Sequence, residues 1–485
     1  MSSYFREQHQ NNLPTVRIQK ATLHNFKSVE YGEIVFDCGK RFVPYGTKAD
    51  ILGIYGQNGS GKTAFIEALS VLRIALNGDS IPGVYAECIS KTSEFAKLEF
   101  VFELQYPDGK IRKAIYEFCI CVIENESNDS KSDEKADNDM LKNKYSVRIF
   151  DEVLSMGGDI DGEKIKVQPI IDTRSKDIRV PFGPASKRKM LIGEDNESAL
   201  MELAVNKRIA KEKSMSFIFM EETANVFRDS DLYSSFYQVF MELHFFSVYY
   251  FFVVDTKSSG IIRLNFGLPL YSRVGVMHLN ANGPLTIDDE TYEDLKTQFE
   301  AISVVVSQLV PGLKVYVQSI SPTILKSGES GQIIELIAER NGIKMPLKYE
   351  SDGVRKIISI LSLIISAYNQ QSTTVAIDEF DAGIFEYLLG EILETFEESG
   401  KGQFIFTSHN LRPLEVIDKK YLYFTTTNPK NRYIHLKNIG KSNNLRNTYF
   451  RELVLGDQDE ELYKNTQHHK IGAAFRRAGR IDGEA

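Results

Sequence analysis

The sequence predicts an α/β fold: a parallel sheet with crossover helices, an antiparallel β-subdomain, and an inserted, mostly helical domain. Three observations predict it. A short apolar run, Ile51–Tyr55, is followed by a glycine-rich loop and an amphipathic pattern from Lys62. Helix and strand patterns alternate between Val354 and Thr407, as crossover connections in a parallel sheet require. From Phe95 to Val153 the residues alternate apolar and polar, the mark of half-buried antiparallel strands.

Taken in order, residues 1–14 read as a loose polar arm. Val16 to Ser28 reads as a strand, with Gly32–Phe36 as its hairpin partner. The helix from Lys62 carries Phe65, Leu69 and Leu72 on one stripe. Leu98–Leu104, Ile111–Val122 and Tyr145–Val153 read as strands, the first two joined by a turn at Tyr106-Pro-Asp-Gly. Glu124 to Lys144 is polar and mostly acidic, which predicts a disordered hairpin tip. Ala199–Ile209, Phe217–Val226, Leu232–Leu243 and Thr291–Leu309 read as helices. The apolar run Phe245–Val254 reads as a buried strand. Strands are expected at Lys314–Ile320, Gln332–Glu339, Thr373–Ile377 and Gln403–Thr407, with helices at Val354–Tyr368 and Phe385–Glu397. Four units result: 1–186, 187–310, 311–440 and a tail, 441–485.

Composition narrows the function. With 485 residues, 42% hydrophobic and 26% charged, the chain is neither collagen-like nor wholly disordered. Its net charge of −8 argues against coating nucleic acid by bulk charge. Local basic patches at Lys187-Arg-Lys189 and Lys207–Lys213 stay open as DNA contacts. The densest apolar stretch is about half the ~20 residues a membrane span needs, and the polar N-terminus has no signal-peptide core. Cys38, Cys88, Cys119 and Cys121 read as thiols of a reducing compartment rather than a metal set. A cytoplasmic location without membrane contact is expected.

The chemistry concentrates in four places. Gly56, Asn58, Gly59, Ser60, Gly61, Lys62 and Thr63 fit G-x-x-x-x-G-K-S/T between a strand and a helix. Backbone N–H groups and the helix N-terminus can cradle phosphates there; Lys62 can reach the β- and γ-phosphates and the Thr63 hydroxyl can ligate Mg2+. The strand ending in Asp378 and Glu379 offers a metal ligand and a base for an attacking water. The strand Gln403–Thr407 ends in Ser408 and His409, where a γ-phosphate sensor would stand. Ser351 and Gly353 precede a helix; the hydroxyl can cap it or, with the helix N-terminus, face a phosphate.

With these elements in this order, the chain resembles an ABC-type ATPase head of the RecF/SMC/OLD branch. The strand from Ile18 with Leu23-His-Asn-Phe-Lys-Ser is similar to the opening of that branch. The resemblance implies a RecA-like sheet, ATP and Mg2+ as cofactors, and named roles. Residues 56–63 are the Walker A loop, Asp378 and Glu379 Walker B, Ser351 and Gly353 the signature, Asp381 and Ala382 the D-loop, and His409 the switch. Neither Gln105 nor Gln168 has the context of a Q-loop residue. The 288 residues between Thr63 and Ser351 fit a head with an inserted domain. In such heads the signature serves a second subunit's nucleotide, so the chain is expected to work as a homodimer or larger even-numbered oligomer.

Within the branch, the chain is similar to ATPase subunits of bacterial phage-defence operons, PARIS-type first and Septu-type next. Asp457-Gln-Asp459 lacks the strand that a Toprim nuclease site needs, so no nuclease is expected in this chain. The resemblance implies a separately encoded effector nuclease and a phage trigger protein as partners. A RecF-like repair ATPase and a non-hydrolysing scaffold are the alternatives. His468–Ile481 reads as a helix with Lys470, Arg476, Arg477 and Arg480 opposite a stripe of Ile471, Ala474, Phe475 and Ala478. That helix either packs on its own domain or docks a partner.

Overall fold

The computed structural model describes residues 13–36, 50–124, 145–160, 162–177, 179–194, 196–229, 235–255, 267–272, 275–280, 283–436, 445–455, 459–464 and 467–481. The expected polar arm up to residue 12, most of the acidic hairpin tip, Cys38 and Asp457 lie outside the described residues. The N-terminal elements are β1 (Thr15–Phe26), β2 (Val29–Val35), β3 (Asp50–Tyr55), α1 (Lys62–Asn77), β4 (Phe95–Gln105), β5 (Ile111–Glu124), β6 (Tyr145–Ile160) and β7 (Glu163–Asp172). Then come α2 (Ala185–Ile192), α3 (Glu197–Lys213), α4 (Glu221–Asp229), α5 (Ser235–Tyr249), β8 (Phe251–Val254), β9 (Gly267–Ser272), β10 (Gly275–Asn280), β11 (Leu285–Asp288) and α6 (Asp289–Leu309). The remainder comprises β12 (Leu313–Ile324), β13 (Ser330–Arg340), β14 (Ile343–Pro346), α7 (Asp352–Asn369), β15 (Thr374–Ile377), α8 (Glu386–Ser399) and β16 (Gln403–Thr407). It ends with α9 (Pro413–Val416), β17 (Leu422–Thr425), β18 (Tyr433–Ile434), α10 (Leu445–Leu455) and α11 (His468–Ile481).

Two six-stranded sheets frame the molecule. The antiparallel sheet has the order β2-β1-β4-β5-β6-β7, and the other β18-β17-β3-β16-β15-β8. In the second sheet β17, β3, β16, β15 and β8 run parallel. The burial of β4 alternates along its length, so one face meets the core. All four residues of β15 are buried, as in a parallel strand covered on both faces. Helix α1 is buried on nearly every side, which is what a helix held inside a core requires. Phe65, Ile66, Leu69 and Leu72 share one core with Phe102 of β4 and with Ala376 and Ile405 of the parallel sheet. Ile360 and Ile364 of α7 and Leu389 and Leu393 of α8 cover the other face, against Val375, Ile377, Phe404 and Phe406. A buried side chain of this size contributes about 1.5–3 kcal/mol.

A polar joint links the two sheets. The Gln403 amide donates to Ile18 O at 3.0 Å and to Asp50 Oδ2 at 2.9 Å, and its oxygen accepts from Ile18 N at 3.3 Å. Arg17 lies 3.6 Å from Asp50 and donates to Lys401 O at 2.8 Å. Burial pushes Asp50 up to about 6 despite that guanidinium.

Residues 187–310 carry helices, as expected, and also strands that belong to neighbouring units. β8 is the edge strand of the parallel sheet, paired with β15, and β11 pairs with β13 in a smaller sheet with β12 and β14. The run Phe245–Val254 is part helix and part strand, a correction to the single strand expected. Tyr250 N closes the helix on Phe246 O at 2.9 Å, and Tyr250 O then accepts from Thr374 N at 2.7 Å, which begins the parallel pairing. An apolar run alone cannot separate the two states. The helix expected from Phe217 begins at Glu221. Cys88 and Cys119 are buried free thiols; Cys121 is a partly exposed one. Among the described residues, no helix is long and apolar enough to cross a membrane.

Helix α5, which leads into β8, is pinned by a buried acid. Glu242 is 2% exposed; it accepts from Tyr106 Oη and from Gln238 Nε2, the latter at 3.0 Å. Burial pushes its carboxyl up to about 8. The folded chain therefore holds a proton that the unfolded chain releases from about pH 4.5 upward. Stability from this group is full below that pH and is lost as pH rises to about 8. Glu242→Gln removes the titration, so its thermal midpoint should exceed that of the wild type by more at pH 9 than at pH 6. Calorimetry at the two pH values checks this, and an equal difference would mean that Glu242 is ionised in the fold.

Candidate nucleotide site

The parallel register brings the expected residues to one edge of the sheet. β3 runs into the loop 56–61 and α1, β15 into Asp378 and Glu379, and β16 into Ser408 and His409. Gly56 has φ +149°, and a Cβ there would stand 1.7 Å from Thr425 Oγ1, so only glycine fits. Asn58 and Gly59 are exposed, Ser60 and Gly61 buried, and Thr63 partly exposed on the first turn of α1. The Ser60 hydroxyl bonds to Gln57 O and the Thr425 hydroxyl. Tyr433 Oη donates to Gly61 O at 2.7 Å. Lys62 is 6% exposed and donates to Gly56 O at 2.8 Å and Gln57 O at 3.1 Å. Burial pushes its ammonium down to about 8, opposed by Asp378, Asp381 and Glu379.

Asp378 is 1% exposed. Its N–H donates to Val254 O at 2.9 Å, and Oδ1 accepts from Thr407 Oγ1 at 2.6 Å. Oδ2 is buried without a hydrogen-bond partner. A buried, unpartnered carboxylate oxygen at the end of this strand fits a divalent cation. The same Thr407 hydroxyl accepts from Glu379 N at 2.8 Å. Glu379 has φ +47°, which costs a non-glycine residue about 1–3 kcal/mol and is held by the surrounding bonds. Asp381 Oδ2 accepts from His409 N at 3.1 Å and Asn410 N at 3.0 Å. Partial burial and the Lys62 ammonium hold the His409 imidazole below its usual range; its side chain is exposed at the rim.

Ser351 caps α7, accepting from Val354 N at 3.4 Å, and is exposed. Gly353 lies against the D-loop region: a Cβ would stand 2.0 Å from Gly383 O. Gln105 and Gln168 lie in β4 and β7 of the antiparallel sheet. Beside β15, the edge strand β8 runs into Asp255, whose carboxylate accepts from Ser70 Oγ and from Tyr85 Oη, the latter at 2.9 Å.

Several residues that contact the site were not singled out by the sequence: Thr407, Thr425, Tyr433 and Lys356. An acidic strand end followed by a strand closing in Thr is the one local signal for Thr407. The tail reaches the site as well. Thr427 N donates to Glu461 O at 2.7 Å, Asn431 Nδ2 to Glu460 Oε1 at 2.9 Å, and Lys464 N to Gln57 Oε1 at 3.2 Å. Leu445, Tyr449 and Leu462 are buried in the core under α8 and α9. Residues 459–464 thus strap the phosphate loop, and the expected tail is separate only at α11. There Ile471 is 42% and Phe475 76% exposed, so the apolar stripe is not packed on its own domain.

A phosphate loop, an Asp-Glu strand end and a capped signature helix on this two-sheet frame define an ABC-type ATPase head. Residues 51–415 match the family described as "AAA domain, putative AbiEii toxin, Type IV TA system", and the chain belongs to that family. No curated protein matches it. Among solved structures it is similar to an Smc head domain with an extended coiled coil from Pyrococcus furiosus, bound to the C-terminal domain of ScpA. That match has 12% identity and a TM-score of 0.41, over 87% of this chain and 96% of that one. The SMC head domain from Thermotoga maritima follows at 14% and 0.34, over 87% and 100%. The recombination mediator RecF with ATP follows at 12% and 0.32, over 81% and 94%. These are loose matches in geometry; the class rests on the site and the family.

The strap generates a test of the tail. Ending the chain after Lys464 should leave ATP affinity within about twofold of the full chain, a change of roughly 0.4 kcal/mol. Ending it after Asp459 removes the bonds to Thr427, Asn431 and Gln57, each worth about 0.5–1.5 kcal/mol. Affinity and thermal midpoint should then both fall, as read by calorimetric titration and melting.

Proposed function

We propose that the chain binds and hydrolyses ATP with Mg2+ as an oligomeric switch in anti-phage defence, controlling a separately encoded effector nuclease. The observation that carries the hydrolytic part is the juxtaposition of an unpartnered buried Asp378 oxygen with Glu379, at the edge where Lys62 sits. Lys62 exchanges its two carbonyl acceptors for the β- and γ-phosphate oxygens of ATP. Thr63 and Asp378 would hold a Mg2+ ion, which would supply positive charge against the phosphates. Glu379 orients and deprotonates the attacking water, and His409 reads the γ-phosphate. The defence reading draws on the family description, which names a toxin–antitoxin system, and on the resemblance of the sequence motifs to PARIS-type and then Septu-type ATPase subunits. A phage protein would be the trigger.

The RecF-like alternative needs a free basic track, and four of the candidate residues have local partners. Lys187 sits 4.7 Å over the Phe236 ring, Arg188 donates to Phe182 O, Lys207 donates to Thr173 O, and Arg208 pairs with Glu212.

Lys62→Ala should abolish ATP binding and leave the fold intact; normal nucleotide affinity would remove the site assignment. Glu379→Gln should keep ATP bound and lower turnover at least ~10²-fold, the scale of general-base catalysis. Unchanged turnover would show that another residue positions the water, whereas a wild-type chain that binds ATP tightly without hydrolysing it would favour the non-hydrolysing scaffold.

Ser351 tests the composite site. An exposed helix cap suits a phosphate held by a second copy of the chain, in a two-fold, isologous pairing. Ser351→Arg should leave ATP binding nearly unchanged and stop hydrolysis. Mixing it with Lys62→Ala subunits should restore about one working site per mixed dimer. Mixtures that stay inactive while both variants fold and pair would rule the shared site out.

A further inference from the structure

Glu379 is gripped from both sides by elements far from it in sequence. Its N–H donates to Thr407 Oγ1 at 2.8 Å, and its main-chain oxygen accepts from Lys356 Nζ at 2.5 Å and Ala382 N at 2.9 Å. Lys356 belongs to α7, the helix whose first residues are capped by Ser351. The same helix meets the following loop at Gly353, where the Gly383 oxygen leaves no room for a Cβ. Helix and loop are therefore in contact at two points one turn apart. Between them stands a residue with φ +47°, a conformation that persists only while its neighbours impose it. Burial lowers the Lys356 ammonium below its usual range, and three carboxylates, Asp381, Glu379 and Asp378, offset that cost only in part.

We propose that Lys356 is a positioning residue through which the signature helix orients the catalytic carboxylate of its own chain. The inference rests on the reading of Ser351 as a contact to nucleotide held by a second copy. When that contact forms, α7 is fixed at its N-terminus, and Lys356 fixes the Glu379 peptide in turn. Capture of the partner's ATP thus completes the base that acts on this chain's own ATP. Two sites in a pair then turn over together, and the rate rises sigmoidally with ATP.

Lys356→Met keeps the stem and removes the charged donor; Lys356→Arg keeps the donor; Lys356→Gln replaces the Met variant should that one not fold. For Lys356→Met, kcat should fall roughly 10–100-fold, the cost of a small misplacement of a reacting group. KM should stay within about twofold, and the Hill coefficient should drop to about one, the value of independent sites. Lys356→Arg should regain most of the rate and the cooperativity. Hydrogen exchange in the nucleotide-free chain should speed up at Glu379, Phe380 and Ala382 in the Met variant, with β15 still protected. Unchanged kcat and Hill coefficient, or equal losses in the Met and Arg variants, would overturn the proposal. A wild-type chain that binds ATP without turning it over defeats the proposed hydrolysis instead. The exchange comparison still decides the role of Lys356, because unchanged exchange at 379–382 refutes it.

Discussion

The parallel register of β8, β15, β16 and β3 decides where each charged group of the site stands. Ile377 lies beside Val254 and Phe406, and Thr407 beside Ile54. Each strand therefore releases its next residue at the same edge: the phosphate loop after β3, the two acids after β15, the serine and histidine after β16. A crevice at the carboxyl ends of parallel strands is where α/β sheets place ligands. At its centre one hydroxyl, Thr407 Oγ1, serves Asp378 and Glu379 at once. A threonine one residue out of register would turn its side chain to the other face and leave both acids without it.

The electrostatics follow from that crowding. Asp378, Glu379 and Asp381 are gathered beside two ammonium groups, that of buried Lys62 and that of partly buried Lys356. Like charges at such spacing repel unless cations stand between them. The acids and the lysines are thus mutually dependent. Asp381 is tied further by the main-chain N–H groups of His409 and Asn410, which links the loop after β15 to the loop after β16.

The sequence is most readable where function depends on neighbours along the chain. A loop with glycines at 56, 59 and 61 before Lys62 needs only local geometry, and an apolar run ending in Asp378-Glu379 announces a strand end. It is least readable where one residue earns its role from a distant partner. Thr425 is an unremarkable strand residue until Gly56 is seen against it. Lys356 looks like a solvated position on an amphipathic helix until the Glu379 oxygen is found at its tip. The run Phe245–Val254 has no internal signal for the point where helix becomes strand; β15, more than a hundred residues on, sets it by pairing with Tyr250 and Phe251. Gln403 opens a strand in the sequence, yet its amide joins the two sheets.

The phosphate loop is closed by segments made much later than itself. Thr425 bonds to Tyr55 O across 370 positions, Tyr433 to Gly61 across 372, and Lys464 to Gln57 across 407. A ribosome adding about 5–20 residues per second needs roughly 20–80 s to cover the longest of these intervals. Until then α1 and its loop have left the exit tunnel without the strand, ring and strap that complete them. Nascent chains would therefore be unable to hold nucleotide in the finished geometry, and a product that stops short of Lys464 would lack the strap. Synthesis itself becomes a checkpoint: the finished loop geometry waits until Lys464 has been translated.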